Sequence, residues 1–163
     1  ANIYLNYAEA CAELGNCTEA DLNASINKLR DRVGMPHLTT SPVADPANNM
    51  GVSNLIWEIR RERRVELMYD NDDRYWCLIR WHQLDKLDTS KYPEQTKGAY
   101  IAAEPKVGTE DCATVDDNGY ISFSSGKSRI YESRQYLYPI PSGQIDLYTA
   151  AGKTLTQNPG WDK

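Results

Sequence analysis

The stretch Ile59 to Trp81, IRRERRVELMYDNDDRYWCLIRW, holds eleven charged side chains in twenty-three residues. Three chemistries would use such residues. Glu62 and Glu66 stand four apart and would share one helix face as a carboxylate pair. Glycoside cleavage, however, needs two carboxyls across a cleft, one of them held protonated. Carboxylates flanked by arginines are held ionised instead, which suits no general acid. The run Asp70, Asn71, Asp72, Asp73 has the charge for Ca²⁺ but not the alternating ligand spacing of a calcium loop, and reads as an acidic helix start. The cysteines at 11, 17, 77 and 112 form no CxxC pair, and His37 and His82 stand at no metal-ligand spacing from them. Free thiols are expected, and no catalytic residue, metal or cofactor is indicated.

The elements that carry these residues are mostly helical. Ile3, Tyr7, Ala10, Cys11 and Leu14 recur at helical spacing and predict a helix over 2–14, closed by Gly15. Thr18 is placed to cap a second helix over 18–33, whose apolar stripe is Leu22, Ile26, Leu29 and Val33 and which Gly34 and Pro36 stop. Two helices joined by about three residues make an antiparallel hairpin of tetratricopeptide type, a unit that buries its apolar face by stacking on neighbours. Residues 37–52 contain two prolines and no period, and form a loop. Ser53 or Asn54 caps a third helix to about Asp70, and Asp72 or Asp73 a fourth to about Leu84. Residues 85–135 form a long irregular loop with one weak strand pattern, GYISFSS. The tail 136–163 is extended, with one turn of helix near Gln144 to Tyr148. The fold class expected is mainly α, a tetratricopeptide-like hairpin plus packed helices with long irregular loops and little β.

On a helical wheel Arg63 and Glu66 fall on the same side as Leu55, Ile56, Ile59 and Leu67, while Trp57, Val65 and Met68 fall on the opposite side. The third helix is therefore expected to be covered on both faces. Charges in an apolar stripe are tolerated when paired and hydrogen-bonded. The expected network comprises Glu62, Arg63, Glu66, Arg74 and Arg80, with Arg63 paired to Glu66 and the third helix locked against the fourth.

The net charge of −5 argues against a nucleic-acid binder, whose affinity comes from neutralising phosphates. Eleven Tyr and four Trp stand against one Phe, a skew that suits wet interfaces and sugar-like ligands. Tyr92, Tyr100, Tyr120 and Phe123 in the long loop are the candidate ligand-stacking rings, with Asp116, Asp117 and Asn118 near them. No apolar run reaches the length that spans a bilayer. The chain opens inside a helix with no cap before it, so it is expected to be part of a longer protein.

The segments YLNYAEACAELGN, ADLNASINKLRDRVGMP, IRRERRVELMYDNDDRYWCLIRW, YLYPIP and QNPGW, in this order and spacing, resemble the C-terminal part of the SusD/RagB family. The resemblance covers roughly 1–36, 53–84 and 136–163. It implies an all-α body of tetratricopeptide-like pairs, no enzymatic activity and no cofactor. It implies an outward-facing lipoprotein of the outer membrane of Bacteroidetes, held by a lipid anchor in an N-terminal part that precedes this sequence. The implied ligand is a glycan or other nutrient, and the implied partner a SusC-like TonB-dependent transporter used in polysaccharide utilisation. The alternative is a helical-repeat scaffold for a protein or peptide. The family's motifs belong to the scaffold, so no ligand-binding residue carries over by motif. Cys77, Leu78 and Ile79 stand where the family has an acidic residue, Leu and Arg, which takes one carboxylate out of the helix-locking network.

Overall fold

The computed structural model describes residues 1–70, 73–101, 115–122 and 127–162. It is mainly helical: α1 (Asn2–Glu13), α2 (Glu19–Ala24), α3 (Ile26–Arg32), α4 (Asn54–Glu66), α5 (Asp73–Arg80) and α6 (Ser142–Ala150), with a two-stranded antiparallel sheet of β1 (Lys97–Tyr100) and β2 (Tyr120–Ser122). The chain divides into two compact units, Ala1–Cys77 and Leu78–Lys163.

In the first unit α1 and the α2–α3 run form the tetratricopeptide-like hairpin. Gly15, at φ +70°, turns the chain off α1, and its amide and that of Asn16 donate back to Ala12 and Cys11. Thr18 and Asp21 form a reciprocal capping box at the start of α2. The expected single helix over 18–33 is broken at Ser25, whose hydroxyl donates to the Asp21 carbonyl at 2.5 Å and whose backbone leaves the helical region. Leu5, Ala8, Leu22, Ile26, Leu29, Leu38, Ile59 and Leu67 make the core between these helices and α4. Buried Asn27 holds the following loop against it: its amide accepts from the Leu38 amide at 2.7 Å and donates to the Leu38 carbonyl at 3.1 Å. Cys11, Cys17 and Cys77 are in no disulfide, and Cys112 lies outside the described residues.

Ser53 caps α4, accepting from the Ile56 amide. The helix stops at Glu66, short of the expected Asp70, and Tyr69 then takes a left-handed backbone at φ 64°. The α4 charges pair with other elements than the pattern suggested. Arg60 and Arg63 both reach Glu9 of α1, at 3.3 and 3.5 Å, and Glu9 and Arg63 are each only 2% exposed. Arg60 also donates to Glu13 at 2.7 Å, and Arg63 to the side chains of Asn2 and Asn6. Glu58, Glu62 and Glu66 recur every four residues and form a row that meets α3: Arg30 lies 2.6 Å from Glu62 and 3.6 Å from Glu58, and Arg32 2.7 Å from Glu66. In place of the expected Arg63–Glu66 pairing, Arg63 thus meets α1 and Glu66 meets α3. The reason is the helix period: Ile59, Arg60 and Arg63 share the side that meets α1, and the glutamate row lies beside it. Arg74 is half-buried, and burial followed by the like charge of Arg64 holds its pKa below the usual arginine range. Arg80 is exposed, its guanidinium 5.4 Å from the Trp81 ring. The expectation that α4 is covered on both faces is also corrected, since Val65 and Met68 are exposed.

Helix α5 ends at Arg80, before the expected Leu84, because His82 takes a left-handed backbone at φ 51°. The His82 and Gln83 amides donate to the Ile79 and Leu78 carbonyls, the bonding of a glycine-ended helix. A left-handed non-glycine residue costs on the order of 1 kcal/mol, and the His82 ring, stacked 4.7 Å from Tyr136, offsets it.

The second unit is tied by side-chain-to-backbone bonds. Asp88, 2% exposed, accepts from the Ser90 hydroxyl at 2.5 Å, the Ser90 amide at 2.9 Å and the Tyr131 amide at 3.2 Å. The Ser90 hydroxyl first, and then these amides, hold its pKa down at about 2, against 3.8 for an ordinary Asp. The folded chain therefore binds fewer protons here than the unfolded one. The contribution of Asp88 is complete above about pH 4 and is lost as pH falls through about 2. Asp88→Asn should lower the denaturant midpoint at pH 5, with the gap to the parent closing between pH 4 and pH 2. A gap that stays constant over that range refutes the ionised-carboxylate role.

The tail motifs clamp one another. The Gln157 side chain accepts from the Ile140 amide at 2.7 Å and donates to its carbonyl at 2.8 Å, as a β-bridge would, and Asn158 donates to the Tyr138 carbonyl at 2.6 Å. Trp161 donates to the Arg134 and Leu137 carbonyls, with the Arg134 guanidinium 4.8 Å from its ring. Gly160 has φ +82°, and a Cβ there would meet the Arg134 Cβ at 2.9 Å. The helical turn expected near Gln144–Tyr148 is the nine-residue α6, none of whose residues is fully buried.

Candidate functional site

The long loop expected over 85–135 contains the strand pair. Asp116 begins its return: its carboxylate accepts from the Asn118 and Tyr120 amides at 2.9 and 3.0 Å, and the Gly119 amide donates to the Asp116 carbonyl. This Asp-Asp-Asn-Gly turn, with Gly119 at φ +85°, reverses the chain so that Ile121 of β2 pairs with Val115 across it. The Asp116 carboxylate thus belongs to the turn, while Asp117 and Asn118 remain exposed.

Tyr100 and Tyr120 are direct cross-strand partners. Their rings stand edge to face with centroids 5.1 Å apart, and Tyr100 is 61% exposed while Tyr120 is half-buried. Aromatic pairs prefer this geometry. Lys97 pairs with Ser122, so three steps along β1 match two along β2 and the ladder carries one extra residue. In a regular strand Lys97 and Tyr100, three apart, would point to opposite faces. The extra residue turns Lys97 to the face of Tyr100 and Tyr120, and its ammonium sits 5.2 Å from the Tyr120 ring centroid. Sequence reasoning missed Lys97, and period-two alternation would have placed it on the wrong side.

Of the other candidate rings, Tyr92 is held apart from this pair. Its hydroxyl accepts from the Lys86 ammonium at 3.0 Å, and the same ammonium lies 4.9 Å from its ring centroid. Phe123 lies outside the described residues. The structure therefore brings together two of the four expected rings and adds a cation. What this arrangement can do is stack a flat or half-apolar ligand on Tyr100 and offer it an ammonium. Among the described residues it presents no nucleophile with an adjacent base.

A concavity of about 440 Å³ lies in the first unit beside the start of α4, lined by Cys17, Thr40, Pro42, Ser53 and Leu55 among others. Burial pushes the Cys17 thiol pKa up, so it is a poor nucleophile. The Thr40 hydroxyl is already bonded to Glu19. Among the described residues no cluster of three His, Cys, Asp or Glu side chains could hold a metal, and no helix is long and apolar enough to cross a membrane.

The SusD family model matches residues 1–161. A comparison with curated proteins finds no match. The solved structure named BT4246 is similar at 25% identity and a TM-score of 0.59, over 98% of this chain and 23% of that one. The chain thus spans about a quarter of the solved chain that it matches.

Proposed function

The chain belongs to the SusD family, and on that premise we propose that it serves non-catalytic capture of a glycan or other nutrient at the cell surface, as the C-terminal part of an outward-facing outer-membrane lipoprotein. The captured ligand passes to a SusC-like TonB-dependent transporter, and this chain contacts it through the strand-pair rings. The family match over 1–161 carries the reading. The exposed Tyr100 beside Tyr120 supports it, because sugars stack their apolar C–H face on such rings. The test is a glycan array on the intact protein, followed by calorimetry with the glycan retained. Tyr100→Ala should weaken binding about fivefold, since one aromatic contact contributes about 1 kcal/mol. Its melting temperature should not move, because the ring is mostly in solvent. Unaltered affinity, or a variant that merely unfolds early, would remove Tyr100 from the binding surface.

One observation favours a protein or peptide ligand as the second reading. Val65, Met68, Tyr69 and Trp76 are exposed apolar side chains at the end of α4 and on α5, the kind of surface that marks contact with another polypeptide. A blank array together with peptide binding lost in Trp76→Ala would select it.

A further inference from the structure

We infer that the strand-pair site takes an acidic glycan, one bearing a carboxylate or sulfate on a sugar ring, and that Lys97 reads the acid. The inference rests on the glycan-capture reading above and adds the ligand's charge to it. Three observations carry it. Lys97 is exposed, and among the described residues no carboxylate pairs with it. The bulge between Lys97 and Tyr100 puts the ammonium on the ring face of the sheet, and a bulge is a device that re-aims a side chain. The Tyr120 ring then steadies the ammonium at 5.2 Å, while Tyr100, 5.1 Å from Tyr120, keeps its own surface open. Ring and cation therefore share one face of the strand pair, the Tyr100 ring 5.1 Å and the ammonium 5.2 Å from the Tyr120 ring. A pyranose stacked on Tyr100 would carry its acidic substituent to Lys97, where a charge-assisted hydrogen bond forms. A neutral glycan would use the ring alone.

The test compares polymers that differ in charge and little else: polygalacturonate against its methyl-esterified form, and dextran sulfate against dextran. Affinity electrophoresis of the intact protein reads them, with Lys97→Gln, Lys97→Arg and Tyr100→Ala beside the parent. Expected is retardation by at least one acidic polymer over its neutral match by about tenfold in affinity, weakening as salt rises. Lys97→Gln should abolish the difference with unchanged melting temperature, and Lys97→Arg should keep it. Equal retardation by both members of each pair, or a difference that survives Lys97→Gln, overturns the inference. If neutral polymers bind and Tyr100→Ala releases them, the capture reading stands while the acidic preference falls. If a polymer binds Tyr100→Ala and Lys97→Gln as well as it binds the parent, both fall. No retardation by either acidic polymer also overturns the acidic preference.

Discussion

Glu9→Ala should destabilise the protein by about 3–5 kcal/mol, the cost of removing one partner from a buried ion pair. Glu9 is 2% exposed and faces two arginines of α4, Arg60 at 3.3 Å and Arg63 at 3.5 Å. Arg60 keeps Glu13, and Arg63 keeps the side chains of Asn2 and Asn6. Those are a half-exposed carboxylate and two neutral amides, so the substitution takes from the two arginines the buried carboxylate that they share in the α1–α4 contact. Water has little access there, because Ile59 and Leu5 close the same contact. Glu66→Ala is the control. Its partner Arg32 is 61% exposed, so the loss should stay below about 1 kcal/mol. Denaturant unfolding of both variants decides the matter. Equal effects would mean that the arginines are solvated and that burial in the α1–α4 contact does not set the energetics.

Asn27→Ala is the second large effect, about 2–4 kcal/mol. The Asn27 amide is fully buried and satisfies both backbone groups of Leu38, which is itself in the core. Alanine leaves a buried N–H and a buried C=O without partners, at about 1–3 kcal/mol each before relaxation. The 35–42 segment can relax toward water and recover part of that, which sets the upper limit. Hydrogen exchange gives a readout specific to this site: the Leu38 amide should lose protection relative to the α4 amides. A Leu38 amide as protected as in the parent would mean that the loop is held by packing alone. Asn27→Asp keeps an acceptor for the Leu38 amide and should lose less than alanine.

Both effects arise from polar groups inside the first unit, and neither position stood out in the sequence. Glu9 and Asn27 occur among alanines, lysines and other polar residues whose period only says helix. The charge-rich stretch itself did stand out, since two charges fell within its apolar stripe, and Arg63 is indeed buried. Their partners were not legible. Glutamates three and four residues from an arginine are always available along a helix, and nothing in the order of residues distinguishes them from a glutamate fifty positions away.

What the sequence by itself determined is what local chemistry and pattern dictate. The helical class, the capped starts at Thr18 and Ser53, the turn at Gly15 and the family were readable, because capping, left-handed turns and apolar period act over a few residues. Tertiary structure decided what depends on contacts between distant segments. It ended α5 at a left-handed His82 stacked on Tyr136 and sent the α4 arginines to α1. It also decided the candidate site. Tyr100 and Tyr120 are twenty positions apart and meet only because β1 pairs with β2, and Lys97 joins them only because the ladder slips by one residue. Side chains alternate with period two along a strand, so a single extra residue reverses which face a lysine occupies.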